Sequence, residues 1–183
     1  MNYIFTHIDE KFIQEILSFN SFNMEQGSII KGAESKHRER DSKISWIDNK
    51  KIRKKTLDAT IHICKKYKWL VSLDAIEHLQ YSEYGQEGKY DWHTDSFNFV
   101  PDYAKKYNGR MRKVSFCIFL NSDFSGGEFD LEIKGPGVPG ERYISFTKTE
   151  NNILFFPSYT WHRVRPVKSG VRKSIVGWVL GPP

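Results

Sequence analysis

Between Val114 and Asn121 the chain alternates strictly. Val114, Phe116, Ile118 and Leu120 hold one parity, and Ser115, Cys117, Phe119 and Asn121 hold the other. A period of two sends successive side chains to opposite faces of an extended strand, so this run buries its apolar set as a half-buried strand and not as a helix. The same period returns at Phe129, Leu131 and Ile133 against Glu128, Asp130 and Glu132, and at Ile175, Gly177 and Val179 against Val176, Trp178 and Leu180. The breaks at Gly126-Gly127, Gly135 to Gly140 and Glu150-Asn151-Asn152 carry turn-forming residues. Evenly spaced short strands of this kind predict a double-sheet jelly roll over about 71–183.

The N-terminal part has a different period. Asp9 caps a predicted helix through Asn20 whose apolar face is Phe12, Ile13, Ile16, Leu17 and Phe19. A second predicted helix runs from Asp48 or Asn49 to about Tyr67, with Ile52, Leu57, Ile61, Cys64 and Tyr67 as its apolar set. Residues 21 to 47 read as loop or short strands, and the two helices are expected to brace one sheet. Thirteen Phe and five Trp in 183 residues supply a sizeable core, and no repeat, low-complexity run or linker divides the chain. The expectation is a single domain over 1–183, mainly β with N-terminal helices (α+β): a helical part over about 1–70 and a jelly-roll (double-stranded β-helix) core over 71–183. The stretch from Ser96 to Lys113 is the longest break between strands and is expected to act as a mobile lid.

Charge is uneven. Residues 31 to 55 hold ten Lys or Arg against four Asp or Glu, which accounts for the whole net charge of +6. Such a run is a solvated face or a contact for an acidic polypeptide or nucleic acid. Two cysteines, Cys64 and Cys117, are too few for a disulfide framework and read as buried free thiols. No stretch reaches the roughly 18 apolar residues of a membrane span, and the N-terminus lacks the pattern of a signal peptide. A soluble cytoplasmic protein without membrane contact is expected.

The chemistry is concentrated in His93-Thr94-Asp95, joined later by His162 and, ten residues further, by Arg172. On a strand, residues i and i+2 share a face, so His93 and Asp95 can grip one ion while a distant strand brings His162. Two imidazoles and a carboxylate on one side of an octahedral ion leave open positions for substrates, as in non-haem iron(II) oxygenases. The bare pair is weak, since a chain with six His and ten Asp holds roughly 0.3 His-x-Asp pairs by chance. Its surroundings are specific. Tyr84-Gly85-Gln86-Glu87-Gly88-Lys89-Tyr90 through Asp95, Phe119-Leu120-Asn121 through Gly126-Gly127-Glu128, and Phe156-Pro157-Ser158 through His162-Arg163-Val164-Arg165-Pro166-Val167, Gly170 and Arg172 occur in order.

From about residue 74 onward this resembles the 2-oxoglutarate and iron(II)-dependent oxygenases, in particular the prolyl 4-hydroxylase-like branch, and Arg40-Asp41-Ser42 resembles that branch's upstream Arg-x-Ser element. The resemblance implies iron(II) held by His93, Asp95 and His162, with 2-oxoglutarate and dioxygen as cosubstrates and ascorbate as reductant. It implies that Arg172 forks onto the distal carboxylate of 2-oxoglutarate and that the Tyr84 phenol donates beside it. The bland readings are a salt bridge for Arg172 and core packing for Tyr84. Tyr90 and Trp92 flank the ligands as substrate-path or core aromatics. Arg40 and Ser42 are weaker substrate contacts, and Trp178 reads as a core aromatic. His7, His37, His62 and His78 have no such context.

The expected activity is a dioxygenase that hydroxylates a C–H bond, by resemblance that of a peptidyl proline, so the partner is a protein or peptide. Two alternatives stand beside it. One is a nucleic-acid demethylase of the same fold, against which the Arg-x-Asn-x-Thr-x-Arg pattern of that group is missing, Arg172 being followed six residues later by Trp178. The other is a non-catalytic jelly-roll binding module.

Overall fold

The computed structural model describes residues 3–27, 39–96, 107–147 and 149–183. The N-terminal part contains β1 (Ile4–His7), α1 (Glu10–Leu17), β2 (Glu25–Gln26), β3 (Arg40–Asp41), β4 (Lys43–Ile47) and α2 (Lys50–Lys66). There follow β5 (Ala75–Ile76), β6 (Leu79–Tyr84), β7 (Lys89–His93), β8 (Met111–Phe119), β9 (Ser125–Gly126) and β10 (Phe129–Glu132). The chain closes with β11 (Tyr143–Phe146), β12 (Asn152–Pro157), β13 (His162–Val164), β14 (Val167–Ser169) and β15 (Arg172–Gly181). Of the expected lid, 97–106 lies outside the described residues, as does 31–38 of the basic run. Met111 to Lys113, read as loop, begin β8 instead.

Both helices are capped by side chains that accept an otherwise unpaired amide: Asp9 from Lys11 N–H at 2.9 Å and Asn49 from Ile52 N–H at 3.0 Å. The first helix stops at Leu17, short of the expected Asn20. In α2 the buried stripe is Ile52, Thr56, Thr60 and Cys64, while Leu57 and Tyr67 pack only at its edge and Ile61 is half-buried. Threonine can be buried there because each hydroxyl donates to the carbonyl one turn back, Thr56 to Ile52 at 2.9 Å and Thr60 to Thr56 at 2.8 Å.

All strand pairs are antiparallel. Among the described residues one sheet runs β1-β12-β8-β15-β6-β4-β2 with β5 also on β15, and a second runs β11-β10-β13-β7-β3. The core has two layers. One joins Ile13, Ile16 and Ile52 of the helices to Val114, Phe116 and Ile118 of the larger sheet, and the other places Cys117, Phe119 and Leu154 against Phe129, Leu131 and Val164 of the smaller sheet. The expectation of a half-buried strand at 114–121 is therefore corrected, because β8 is buried on both faces from Val114 to Phe119. The helices cover the face that would otherwise meet water. β1 was not foreseen and closes the sheet's edge on β12, with Ile4 opposite Phe155.

On β10, Phe129 and Leu131 enter the core, and Asp130 between them turns to the other face yet has 0% exposure. Arg163 Nε donates to its Oδ2 at 2.7 Å, Arg165 Nε to the same atom at 2.8 Å, and Ser145 Oγ to Oδ1 at 2.6 Å, which ties β11, β10 and β13 together. Burial alone would raise this carboxyl, but the bonds from Arg165, Ser145 and Arg163 hold it below the usual range. Its stabilisation is thus fully present above the unfolded value of about 3.9 and is lost as pH falls through the lower folded value. Removing one partner of a buried pair costs about 3–5 kcal/mol, and the partly exposed arginines place Asp130→Ala at the low end. A fall in melting temperature of roughly 6–12 °C is expected at pH 7, shrinking below pH 4, and calorimetry across that range checks it.

Candidate active site

β13 lies antiparallel to β7 with His162 opposite His93 and Val164 opposite Tyr90, so three steps on β7 answer two on β13. This bulge breaks the alternation of β7 and turns Tyr90 and His93 to the same face, where their rings stack at 3.5 Å. Asp95 is not on the same strand as His93, as the i, i+2 reading had it. β7 ends at His93, and Asp95 is fixed just beyond it by its N–H on the Ser158 carbonyl at 2.9 Å.

The three side chains nevertheless converge. His162 Nε2 lies 3.5 Å from Asp95 Oδ2, His93 Nε2 lies 3.9 Å from Asp95 Oδ1, and the ligand atoms are all within 4.8 Å of one another. His93 Nδ1 donates to the Asp91 carbonyl at 2.7 Å and His162 Nδ1 to the Thr160 carbonyl at 2.9 Å, which leaves both Nε2 atoms facing the carboxylate. Burial, reinforced by His162, pushes the His93 pKa down to about 3, so the ring is neutral and able to ligate. Burial would raise the Asp95 carboxyl, but the neighbouring His162 and Arg112 hold it below its usual range, so it is an anion. Phe129 stacks on His162 at 5.5 Å and Phe156 meets it at 4.7 Å, fixing the ring. Two imidazoles and one carboxylate, the rings oriented by backbone carbonyls, fit a divalent ion such as iron(II).

The trio opens into a cavity of about 500 Å³. At its inner end Arg172, with 1% exposure, sits opposite Tyr84 in register, its guanidinium 5.4 Å from the phenol ring. Arg172 Nη1 donates to Ser174 Oγ at 3.0 Å and Nη2 approaches Cys117 Sγ at 3.8 Å, while no carboxylate among the described residues pairs with it. Burial pushes the Cys117 thiol up, so it stays neutral and does not balance the cation. A buried cation of this kind is costly without an anion, and the cavity leaves room for one. Gly127, at φ 63, turns beside the stem of Arg172, where a Cβ would come within 3.2 Å of Arg172 Cδ.

Toward its mouth the cavity is lined by Tyr90 with Arg40 over its ring at 4.7 Å, and Arg40 Nε donates to Ser42 Oγ at 2.8 Å. Trp92 is not part of this wall. Next to His93 on the strand, it faces the outer side of the sheet, against Tyr143 at 5.7 Å and under Arg163 at 4.7 Å. The sequence reading missed Glu77 and Arg112, a bidentate pair at 2.6 and 2.8 Å inside the cavity, and Trp46, which meets Trp178 at 6.3 Å beside them. His78, set aside earlier, also lines this end and contacts Asp48 at 3.3 Å. Pairs 35 residues apart leave no local signal.

The model of the 2OG-Fe(II) oxygenase superfamily matches residues 79–180, the span from β6 to β15 that holds every ligand candidate. A PKHD-type hydroxylase of Picosynechococcus sp. is 36% identical over 103 residues, covering 55% of this chain and 41% of that protein. The chain spans less than half the length of such curated relatives. The fold is that of a prolyl-4-hydroxylase of Pseudomonas putida, at TM-score 0.69, 17% identity and coverage of 100% and 94% of the two chains. It is likewise that of a prolyl hydroxylase of Trichoplax adhaerens solved with a hypoxia inducible factor peptide, at TM-score 0.71, 19% identity and coverage of 98% and 83%. With the match spanning more than half of its length and all of its converging ligands, the chain belongs to the 2OG-Fe(II) oxygenase superfamily, whose members work with iron(II), 2-oxoglutarate and dioxygen.

Proposed function

We propose that this protein is an iron(II)- and 2-oxoglutarate-dependent dioxygenase that hydroxylates a C–H bond of a polypeptide, with a peptidyl proline as the target. The observation that carries the reading is Arg172: a fully buried guanidinium, in the same cavity as the His93, Asp95 and His162 trio, with no carboxylate paired to it among the described residues. Iron(II), 2-oxoglutarate and dioxygen together supply the oxidation, in which 2-oxoglutarate is decarboxylated to succinate and one oxygen atom enters the substrate C–H bond.

The protein's part is placement and exclusion of water. Arg172 and Tyr84 take the distal carboxylate at the inner end, and Phe129, Phe156 and Val164 keep the wall between it and the trio apolar. His93 and His162 keep their protons on Nδ1, and Tyr90, whose phenol burial pushes up to about 12, stays neutral where substrate passes. The hydroxylase names of the relatives and the prolyl hydroxylase folds support a proline-bearing polypeptide. No helix among the described residues is long and apolar enough to cross a membrane, and the two buried free thiols favour a reducing compartment such as the cytoplasm.

The test is turnover of 2-oxoglutarate to succinate by the iron-loaded protein with ascorbate and a panel of proline-containing peptides, read with mass spectrometry of the peptides. A gain of one oxygen on a prolyl residue, matched by succinate, is expected. Succinate release that no peptide stimulates would remove the polypeptide substrate, and absence of any 2-oxoglutarate binding would remove the enzyme.

A further inference from the structure

Four side chains form one row across the cavity face of the larger sheet. Cys117 on β8 is opposite Val176 on β15, Val176 is opposite Gln80 on β6, and Gln80 is opposite Trp46 on β4. All four line the cavity. Gln80 is the polar exception in this row, a primary amide on a side chain with 3% exposure. Its Nε2 donates to Ser82 Oγ at 2.8 Å, which fixes the side chain, while its Oε1 accepts no hydrogen bond among the described residues. A buried acceptor is costly unless water or a ligand supplies a donor.

The carboxylates of the cavity wall are already engaged. Arg112 Nε and Nη2 donate to Glu77 at 2.6 and 2.8 Å, Trp46 Nε1 donates to Glu25 Oε1 at 3.0 Å, and Asp95 faces the two histidines. Gln80 is also remote from the inner end. Tyr84 is four residues further along β6, about 13 Å on an extended strand, so the end that takes the diacid and the Gln80 amide are separate parts of one cavity.

We propose that Gln80 is a specificity-determining residue whose amide oxygen accepts a backbone N–H of the polypeptide beside the target proline, with its register neighbours Trp46 and Val176 flanking the contact. This rests on the polypeptide reading above and deepens it. Proline carries no N–H, so hydrogen bonds from donors of the target chain must come from the residues next to it. A peptide segment that enters the cavity takes its amides out of water, and each then needs an acceptor. Gln80 supplies one between apolar neighbours. With Nε2 committed to Ser82, the oxygen is the end turned to incoming groups, which favours N–H donors over carbonyls.

For the test, the panel peptide that the iron-loaded wild type oxidises best is made again with one backbone N–H at a time replaced by N–CH3. Each peptide is assayed for kcat/KM with wild type, Gln80→Met and Ser82→Ala. At one position beside the proline, methylation is expected to lower the wild-type value roughly ten- to a hundred-fold, as for a buried acceptor left unpaired. Gln80→Met keeps the length of the side chain without the acceptor, so the parent peptide should fall by a similar factor and methylation there should cost nothing further. Its affinity for 2-oxoglutarate under nitrogen should equal that of the wild type, which a disturbed sheet would not preserve. Ser82→Ala frees the amide to turn and is expected between the two.

If no methylated position penalises the wild type, or if wild type and Gln80→Met pay the same penalty at every position, the inference is overturned. Should Gln80→Met not fold, Ser82→Ala decides it: a smaller penalty than in the wild type supports the contact, and an equal one overturns it. A wild type that oxidises no peptide of the panel removes the polypeptide reading and this inference with it, a result visible before any methylated peptide is compared.

Discussion

His162→Ala is expected to bring both metal binding and 2-oxoglutarate turnover down by more than the roughly 10- to 100-fold that loss of a mere supporting partner costs. His162 is 5% exposed, bonded through Nδ1 to the Thr160 carbonyl and packed between Phe129 and Phe156, so no neighbouring side chain can swing in to replace it. His93→Ala should behave alike, with the added loss of its stack on Tyr90. Manganese(II) titration and succinate release measure the two effects separately. His62→Ala, on the exposed side of α2, is the control and should change neither. Full activity in His162→Ala or His93→Ala would sink the ligand assignment.

Arg172→Ala separates an oxygenase from a metal-binding jelly roll with the same trio, since only the oxygenase needs a cation at the inner end of the cavity. Truncating one member of a buried charged pair costs about 2–5 kcal/mol, which corresponds to a loss of 2-oxoglutarate affinity of roughly thirty- to several-thousand-fold. Metal affinity should hardly move, because the guanidinium contacts Ser174, Cys117 and Tyr84 and none of the three ligands. Arg172→Lys keeps the charge but not the two-pronged geometry and is expected between the two. The measurement is a titration of the iron(II)-loaded protein with 2-oxoglutarate under nitrogen. Unchanged affinity in Arg172→Ala would leave the binding module as the better reading.

Much of this centre can be read from the residues themselves. His93, Asp95 and His162 converge, and Arg172 and Tyr84 meet in register, because each sits at or beside a strand end. What stayed hidden depends on neighbours distant in sequence. Strict alternation would pair Trp92 with Tyr90 and oppose both to His93; the bulge reverses this, and its only trace is the register against β13. Ser115 and Cys117 occupy the parity that polar, solvent-facing residues usually take, and nothing local says that a second sheet covers them. The Glu77–Arg112 pair and the four-residue β1 likewise exist only once strands far apart in the chain have met. In α2 the threonines look polar on paper, yet they serve as core because their hydroxyls are satisfied within the helix.

β8 and β15 run side by side at the centre of the larger sheet, and neither has a solvent face over most of its length. On such strands one side packs the core while the other shapes the cavity, as Ile118 does against Cys117, and as Ile175 and Val179 do against Arg172 and Ser174. Apart from the exposed Lys173 and the half-buried start of β8, a substitution on either strand meets packed neighbours. The cavity mouth around Arg40, Trp46 and Tyr107 is built from other parts of the chain, so a substitution there alters what the cavity admits and leaves the two central strands untouched.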